Sequence, residues 1–218
     1  MENLYARSVI EYCERIGNSF FAEPINFLSN AAFLFSAFFI FKLLKNHNEK
    51  SIGYWILFCF VLLIGLGSSL WHSFRTPFAH ALDAVPIYLF LLVFLYLLLN
   101  KLTRSAKYSV LGIFSFVGLQ IVVSVYFPAA LNGSIRHIVN ATVFFLLNLW
   151  IYKKSKQLNL NFIFAFLVYV VGILFRTIDN AVCSMFPLGT HFLWHMCTAG
   201  ATYLVVKGLI RLESKKDV

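Results

Sequence analysis

Five side chains in this sequence are of types, and at spacings, that can carry out hydrolysis at a metal ion. His191 and His195 stand four residues apart in His191-Phe192-Leu193-Trp194-His195, so on a helix both imidazoles share one face and can reach a single ion. His72 closes the stretch Gly65-Leu66-Gly67-Ser68-Ser69-Leu70-Trp71-His72, with Ser68 one helical turn before it and Asp83 eleven residues after it. Three histidines with an open fourth position form the donor set of a catalytic zinc. A carboxylate beside them can orient a metal-activated water and take its proton, the ion lowering that water's pKa toward roughly 7. A hydroxyl nearby can donate to an oxyanion developing on a carbonyl. Each residue also has a structural alternative. The histidine pair can hydrogen-bond to neighbouring helices or snorkel at a helix start. Asp83 can cap a helix and meet its dipole, Ser68 can bond back to the carbonyl one turn before it, and Gly65 and Gly67 can serve close helix packing. The choice between these readings depends on whether the five residues lie at one depth, and so on the elements that carry them.

Those elements are membrane helices. The chain of 218 residues is 60% hydrophobic and 18% aromatic, with only 12% charged residues, far from the composition of a soluble domain. Its apolar runs are about the twenty residues that a helix needs to cross a bilayer, not the ten or so of a barrel strand. The expected fold is therefore all-α, a polytopic bundle of seven transmembrane helices forming one domain over residues 1–218. Residues 1–25 are polar and acidic and lack the apolar core of a cleavable signal; they form an N-terminal segment that ends in Glu23-Pro24, a helix start. The bundle occupies 26–210 and a polar tail 211–218. Within it the spans run from Asn26 to Leu44, Ile52 to Trp71, about His80 to Leu99, Tyr108 to Phe127, Ser134 to Tyr152, Leu158 to about Asp179, and His191 to Ile210. These bounds put Asp83 one turn inside its helix.

A net charge of +9 would suggest nucleic acid for a soluble protein. Here its distribution reports topology instead. With alternate connections on opposite sides, thirteen of the 18 Lys and Arg fall on one face, leaving Arg7, Arg15, Arg75, Arg136 and Arg176 on the other. The positive-inside rule then places the C-terminus in the cytoplasm and the N-terminus outside. The same assignment brings Ser68, His72, Asp83, His191 and His195 to the extracytoplasmic side, at one depth. That convergence favours the metal and the catalytic roles over the structural alternatives. Neither an inverted repeat nor a matched pair of Gly/Pro-broken segments points to a transporter.

Two further groups lie toward the same side. Cys13 and Cys183 can pair in an oxidising compartment or remain free thiols, whereas Cys59 and Cys197 fall within spans. Glu11, Glu14, Glu23 and Asn18 offer the hard oxygen donors that calcium prefers, without the regular loop of an EF-hand; on their own they read as a solvated acidic face.

Together these residues resemble the alkaline ceramidases. The resemblance is carried by Tyr12-Cys13-Glu14, by Glu23-Pro24-Ile25-Asn26 with Ser29-Asn30, and by Gly67-Ser68 followed by His72 and Asp83. It continues through Asp179-Asn180 with Cys183, His191 with His195, and Gly200, across nearly the whole chain. The family sits within a wider group of seven-helix membrane hydrolases that includes the adiponectin-receptor-like proteins. The resemblance implies zinc on His72, His191 and His195, Asp83 serving the activated water, and Ser68 assisting at the carbonyl. It also implies a calcium near the zinc, held by Glu11, Glu14, Asn18 and Glu23 with Tyr12 contributing through its backbone, and a Cys13–Cys183 disulfide. The short connection from Cys183 to His191 is similar to bacterial members.

The expected function is zinc-dependent cleavage of the amide bond of ceramide or a related N-acyl lipid, giving a free fatty acid and a long-chain amine. The alternative is a zinc-containing seven-helix lipid receptor or lipid-binding protein without turnover. The partner is a membrane lipid, with neither nucleic acid nor an obligatory protein partner. The expected location is a bacterial inner membrane with the site facing outward, or the lumenal side in a eukaryote.

Overall fold

A computed structural model describes residues 12–17, 19–128 and 130–214, and within them it is all-helical. The first helix among the described residues is the short α1 (Pro24–Ser29), started by Pro24 in its first turn, and the chain continues past Asn30 into α2 (Ala31–Asn46). Then follow α3 (Ile52–Phe74), α4 (Pro77–Thr103), α5 (Ala106–Tyr126), α6 (Ile135–Ser155), α7 (Leu160–Val182) and α8 (His191–Ser214). Six stretches are long and apolar enough to cross a membrane, with α1 and α2 together forming the first, Pro24–Asn46. The seventh expected span corresponds to the 24-residue helix α8, which is not among these six. Its composition alone does not mark it as a span, because His191 and His195 occupy its first turns and Lys207 and Arg211 its last third.

Helix ends follow local chemistry. The α3 helix stops at Arg75, which takes a left-handed conformation (φ 51°) and closes the last turn through its N–H to the Trp71 carbonyl. Two residues later Pro77, with Thr76 accepting from the Ala79 N–H, starts α4. This start lies earlier than the sequence suggested, so Asp83 sits nearly two turns into α4. A helix dipole acts mainly within the first turn, so the capping alternative for Asp83 loses its basis.

Each helix from α2 to α8 packs on the next, and α8 returns to α2 and α3, closing the ring. Ile40, Leu44, Leu57, Val61, Leu98, Phe162, Val206 and Leu209 belong to the buried apolar core. Outside, large apolar side chains face the surroundings, Phe114 at 70% and Phe35 at 65% exposure, as expected of a surface solvated by lipid. The protein is a polytopic helical membrane protein. At one end of the ring α3 and α4 approach so closely at Gly67 that an added Cβ would strike the backbone carbonyl of Leu82 and come within 3.1 Å of the Asp83 nitrogen. Gly67 thereby holds the start of α4, and Asp83 with it, against the histidine-bearing end of α3.

Candidate metal centre

His72 comes from the last turn of α3, and His191 and His195 from the first two turns of α8. All three are at most 3% exposed, and one nitrogen from each lies within 4.8 Å of the others. Their tautomers follow from their outer partners. His72 Nδ1 lies 2.6 Å from Glu23 Oε2, and an ionised carboxylate only accepts, so this nitrogen carries the proton. His195 Nδ1 lies 2.7 Å from Ser29 Oγ. The Ser29 hydroxyl donates to the Asn26 carbonyl at 2.8 Å, so Ser29 accepts from His195. Both Nε2 atoms are then left as lone pairs, and they face each other at 3.2 Å. Two acceptors cannot bond to each other, whereas a cation between them would satisfy both. His191 adds a third imidazole, with Nδ1 buried and without a hydrogen-bond partner among the described residues. The three histidines thus fit a metal ion, in the arrangement in which outer-sphere hydrogen bonds fix ligand orientation.

A buried network surrounds this set. Glu23 is fully buried and accepts from Arg75 Nε and Nη2 at 2.6 Å each and from Arg15 Nη1 at 2.9 Å. Burial alone would raise its pKa. The hydrogen bonds from His72 and Arg75 outweigh that and hold the carboxyl below the usual carboxylate range. The Arg75 guanidinium lies 4.4 Å from the centres of both the Tyr12 and Trp71 rings. Tyr12 stacks on His191 with ring centres 3.7 Å apart, and its hydroxyl accepts from Arg176 Nη1 at 2.9 Å.

Asp179, in the last turn of α7, ties the N-terminal segment to α8. Its Oδ1 accepts from the Thr190 and His191 N–H groups at 2.6 and 2.9 Å, and its Oδ2 from the Cys13 N–H at 3.1 Å. The carboxylate thus satisfies two free donors at the start of α8 and fixes the backbone of His191. Gly189, with φ 63°, permits the approach, since a Cβ there would overlap Asp179. Next to it the expected disulfide joins Cys13 to Cys183, with Cα atoms 5.2 Å apart.

Ser68, Asp83, His191 and His195 line one cavity of about 460 Å³, which continues between apolar side chains such as Phe90, Phe94 and Phe116. Ser69 and Ser73 bond back to the carbonyls of Gly65 and Ser69, at 2.9 and 3.0 Å. Buried Ser68 makes no such bond among the described residues and is one of the residues of the cavity wall.

The residues expected around calcium have other occupations. Glu11 and Asn18 lie outside the described residues. Glu14 accepts from the N–H groups of Ile25 and Asn26 at 2.6 and 2.8 Å, capping α1. Burial pushes its carboxyl up, and these two bonds oppose the shift. The Tyr12 carbonyl accepts from the Arg15 N–H at 3.2 Å. With Glu23 bound to two arginines and to His72, the described part of this group does not fit a calcium ion. The sequence reading grouped Glu23 with calcium donors, whereas in the structure it bonds to His72, Arg75 and Arg15, and that reading passed over Arg75, Ser29 and Asp179 as positioning residues. Arg75 carried a usable signal, a charge at the end of an apolar helix.

A family model described as Ceramidase matches residues 5–218. No curated protein matches the chain.

Proposed function

The chain belongs to the ceramidase family, and from that membership and the two facing imidazole nitrogens we propose that it is a zinc-dependent amidase acting within the membrane on ceramide or a related N-acyl lipid. The observation that carries the reading is the 3.2 Å approach of His72 Nε2 and His195 Nε2, both left as acceptors by Glu23 and Ser29. Three neutral imidazoles suit zinc, which when bound would polarise the amide carbonyl and acidify a water molecule.

The chain's own residues account for the rest of the reaction. Glu23 and Ser29 keep the protons of His72 and His195 on Nδ1. Asp83, on the cavity wall, takes the proton from the attacking water as the carbon–oxygen bond forms, and returns it to nitrogen as the carbon–nitrogen bond breaks. Ser68 donates its hydroxyl to the carbonyl oxygen in the transition state. The phenylalanine-lined part of the cavity receives the hydrocarbon chains. On another wall His137 Nδ1 and Asn140 Nδ2 each lie 3.2 Å from Tyr169 Oη, a polar group suited to the hydroxyls of the lipid.

With α8 counted as the seventh span, the lysine and arginine distribution supports a reading with the N-terminus and the site on the extracytoplasmic side; we take residues 1–218 as one domain, in a bacterial inner membrane. A lipid receptor with structural zinc is the competing reading. A structural zinc is normally closed by four protein ligands, whereas the metal-ligating group among the described residues consists of three histidines. The test is mass-spectrometric detection of fatty acid and long-chain base released from ceramide by the purified protein in detergent, with His195→Ala as control. Release by the unmodified protein alone supports the amidase. If a zinc-loaded protein releases nothing, ceramide is excluded and the host's own lipid extract is screened next.

A further inference from the structure

We propose that Arg75 and Arg15 take, within this chain, the electrostatic place that a calcium ion would hold beside the histidines, and that the Arg75–Glu23 pair is the device that positions His72. The proposal rests on the reading above only for zinc at the three histidines.

A carboxylate offers about four lone-pair sites, and those of Glu23 are filled. Its Oε1 accepts from Arg15 Nη1 and Arg75 Nε, and its Oε2 accepts from Arg75 Nη2 and His72 Nδ1. Asn26 Nδ2 adds a weaker contact to Oε2 at 3.2 Å. Calcium takes six to eight oxygens at about 2.3–2.6 Å. To use Glu23 it would have to displace a forked arginine pair and lie against two guanidinium charges. Glu14 is engaged at both oxygens, each accepting one N–H at the start of α1, and without Glu23 it is the one carboxylate of the described calcium set left to offer lone pairs.

The arginine is built into the fold. Arg75 is fully buried, ends α3 in the left-handed conformation, and sits between the faces of Tyr12 and Trp71. Its planar fork matches a carboxylate in a way a lysine cannot. The plain alternative is an ion pair that only ties the N-terminal segment to the bundle. Against it, the carboxylate gripped by Arg75 is the one that holds His72 Nδ1, so a shift in the fork is transmitted to a metal ligand. The same network joins Arg15 to the end of α3, through a 3.4 Å contact between Nη1 and the His72 carbonyl.

The test begins with the unmodified protein. After equilibration with millimolar calcium and desalting, elemental mass spectrometry should find zinc and no stoichiometric calcium. Thermal unfolding should give the same Tm in calcium-depleted buffer and in millimolar calcium. Stoichiometric calcium, or a rise in Tm of several degrees on adding it, overturns the proposal. The positioning half is tested by competing zinc away with a chelator from Arg75→Gln and Arg75→Lys. Arg75→Gln should loosen zinc roughly ten- to hundredfold, with a smaller loss in Arg75→Lys and no recovery on adding calcium. Unchanged zinc affinity in a folded Arg75→Gln protein overturns the positioning role. Should that variant not fold, Arg75→Lys and the calcium measurements decide. A protein that binds no zinc would sink the proposed function and leave the calcium result standing.

Discussion

At the scale of single residues, the site separates groups that hold the ligands from groups that face the cavity. Glu23, Ser29 and Asp179 hold His72, His195 and the start of α8, whereas Ser68 and Asp83 open on the cavity itself. This division predicts that Asp83→Asn retains the metal and loses turnover by about 10²–10⁴-fold, the usual contribution of a general base. Zinc content and the rate of fatty-acid release, measured on the same preparation, check it. Full activity in the asparagine variant would remove Asp83 from the reaction. That His72, His191, His195 and Asp83 belong to one place was legible in the sequence, because such groups stand out in so apolar a chain. Their outer partners were not, because an acid near a helix start reads equally well as a solvated face, a calcium ligand or an ion pair until its neighbours are known.

At the scale of elements, helix termini do most of the positioning. The end of α3, the start of α4 and the start of α8 meet at one end of the ring, and short-range chemistry fixes each: Arg75 in the left-handed conformation, the Thr76 cap with Pro77, and the Asp179 cap with Gly189. The α3–α4 contact depends on Gly67, where a side chain would meet the backbone of Leu82 and not a movable side-chain tip. Gly67→Ala should therefore cost about 1–3 kcal/mol through overpacking and also reduce activity, since the same shift displaces Asp83. Thermal unfolding and the release assay measure the two effects. Unchanged values in both would show that the helices can separate without consequence. The sequence set Asp83 one turn into its helix, but Pro77 starts α4 earlier. Proline at a first helical position accounts for the difference, and it removes the capping role that had competed with catalysis.

At the scale of the whole molecule, the ring of helices is closed by non-covalent packing of α8 on α2, and the N-terminal segment is fastened covalently by Cys13–Cys183 across a sequence separation of 170 residues. A loop of this length gives a large chain-entropy effect in water. Membrane insertion already confines the unfolded chain, so the lower end of the usual range applies. Cys13→Ser with Cys183→Ser should lower stability by about 2 kcal/mol and loosen the segment that carries Tyr12, Glu14 and Arg15. A denaturation series in detergent measures this, and no change would mean that Asp179 and the Glu23 network suffice to hold the segment. By itself the sequence determined the helical membrane class, the order of the helices and which three histidines come together. Bilayer thickness sets the length of an apolar run, and helical periodicity places His191 and His195 on one face. Only the tertiary structure decided that Glu23 serves His72 with Arg75 and Arg15 as its counter-charges, and that Asp179 caps the helix bearing the other two histidines. Those partnerships join atoms far apart along the chain, and their strength depends on burial and on hydrogen-bond directions that exist only once the ring has closed.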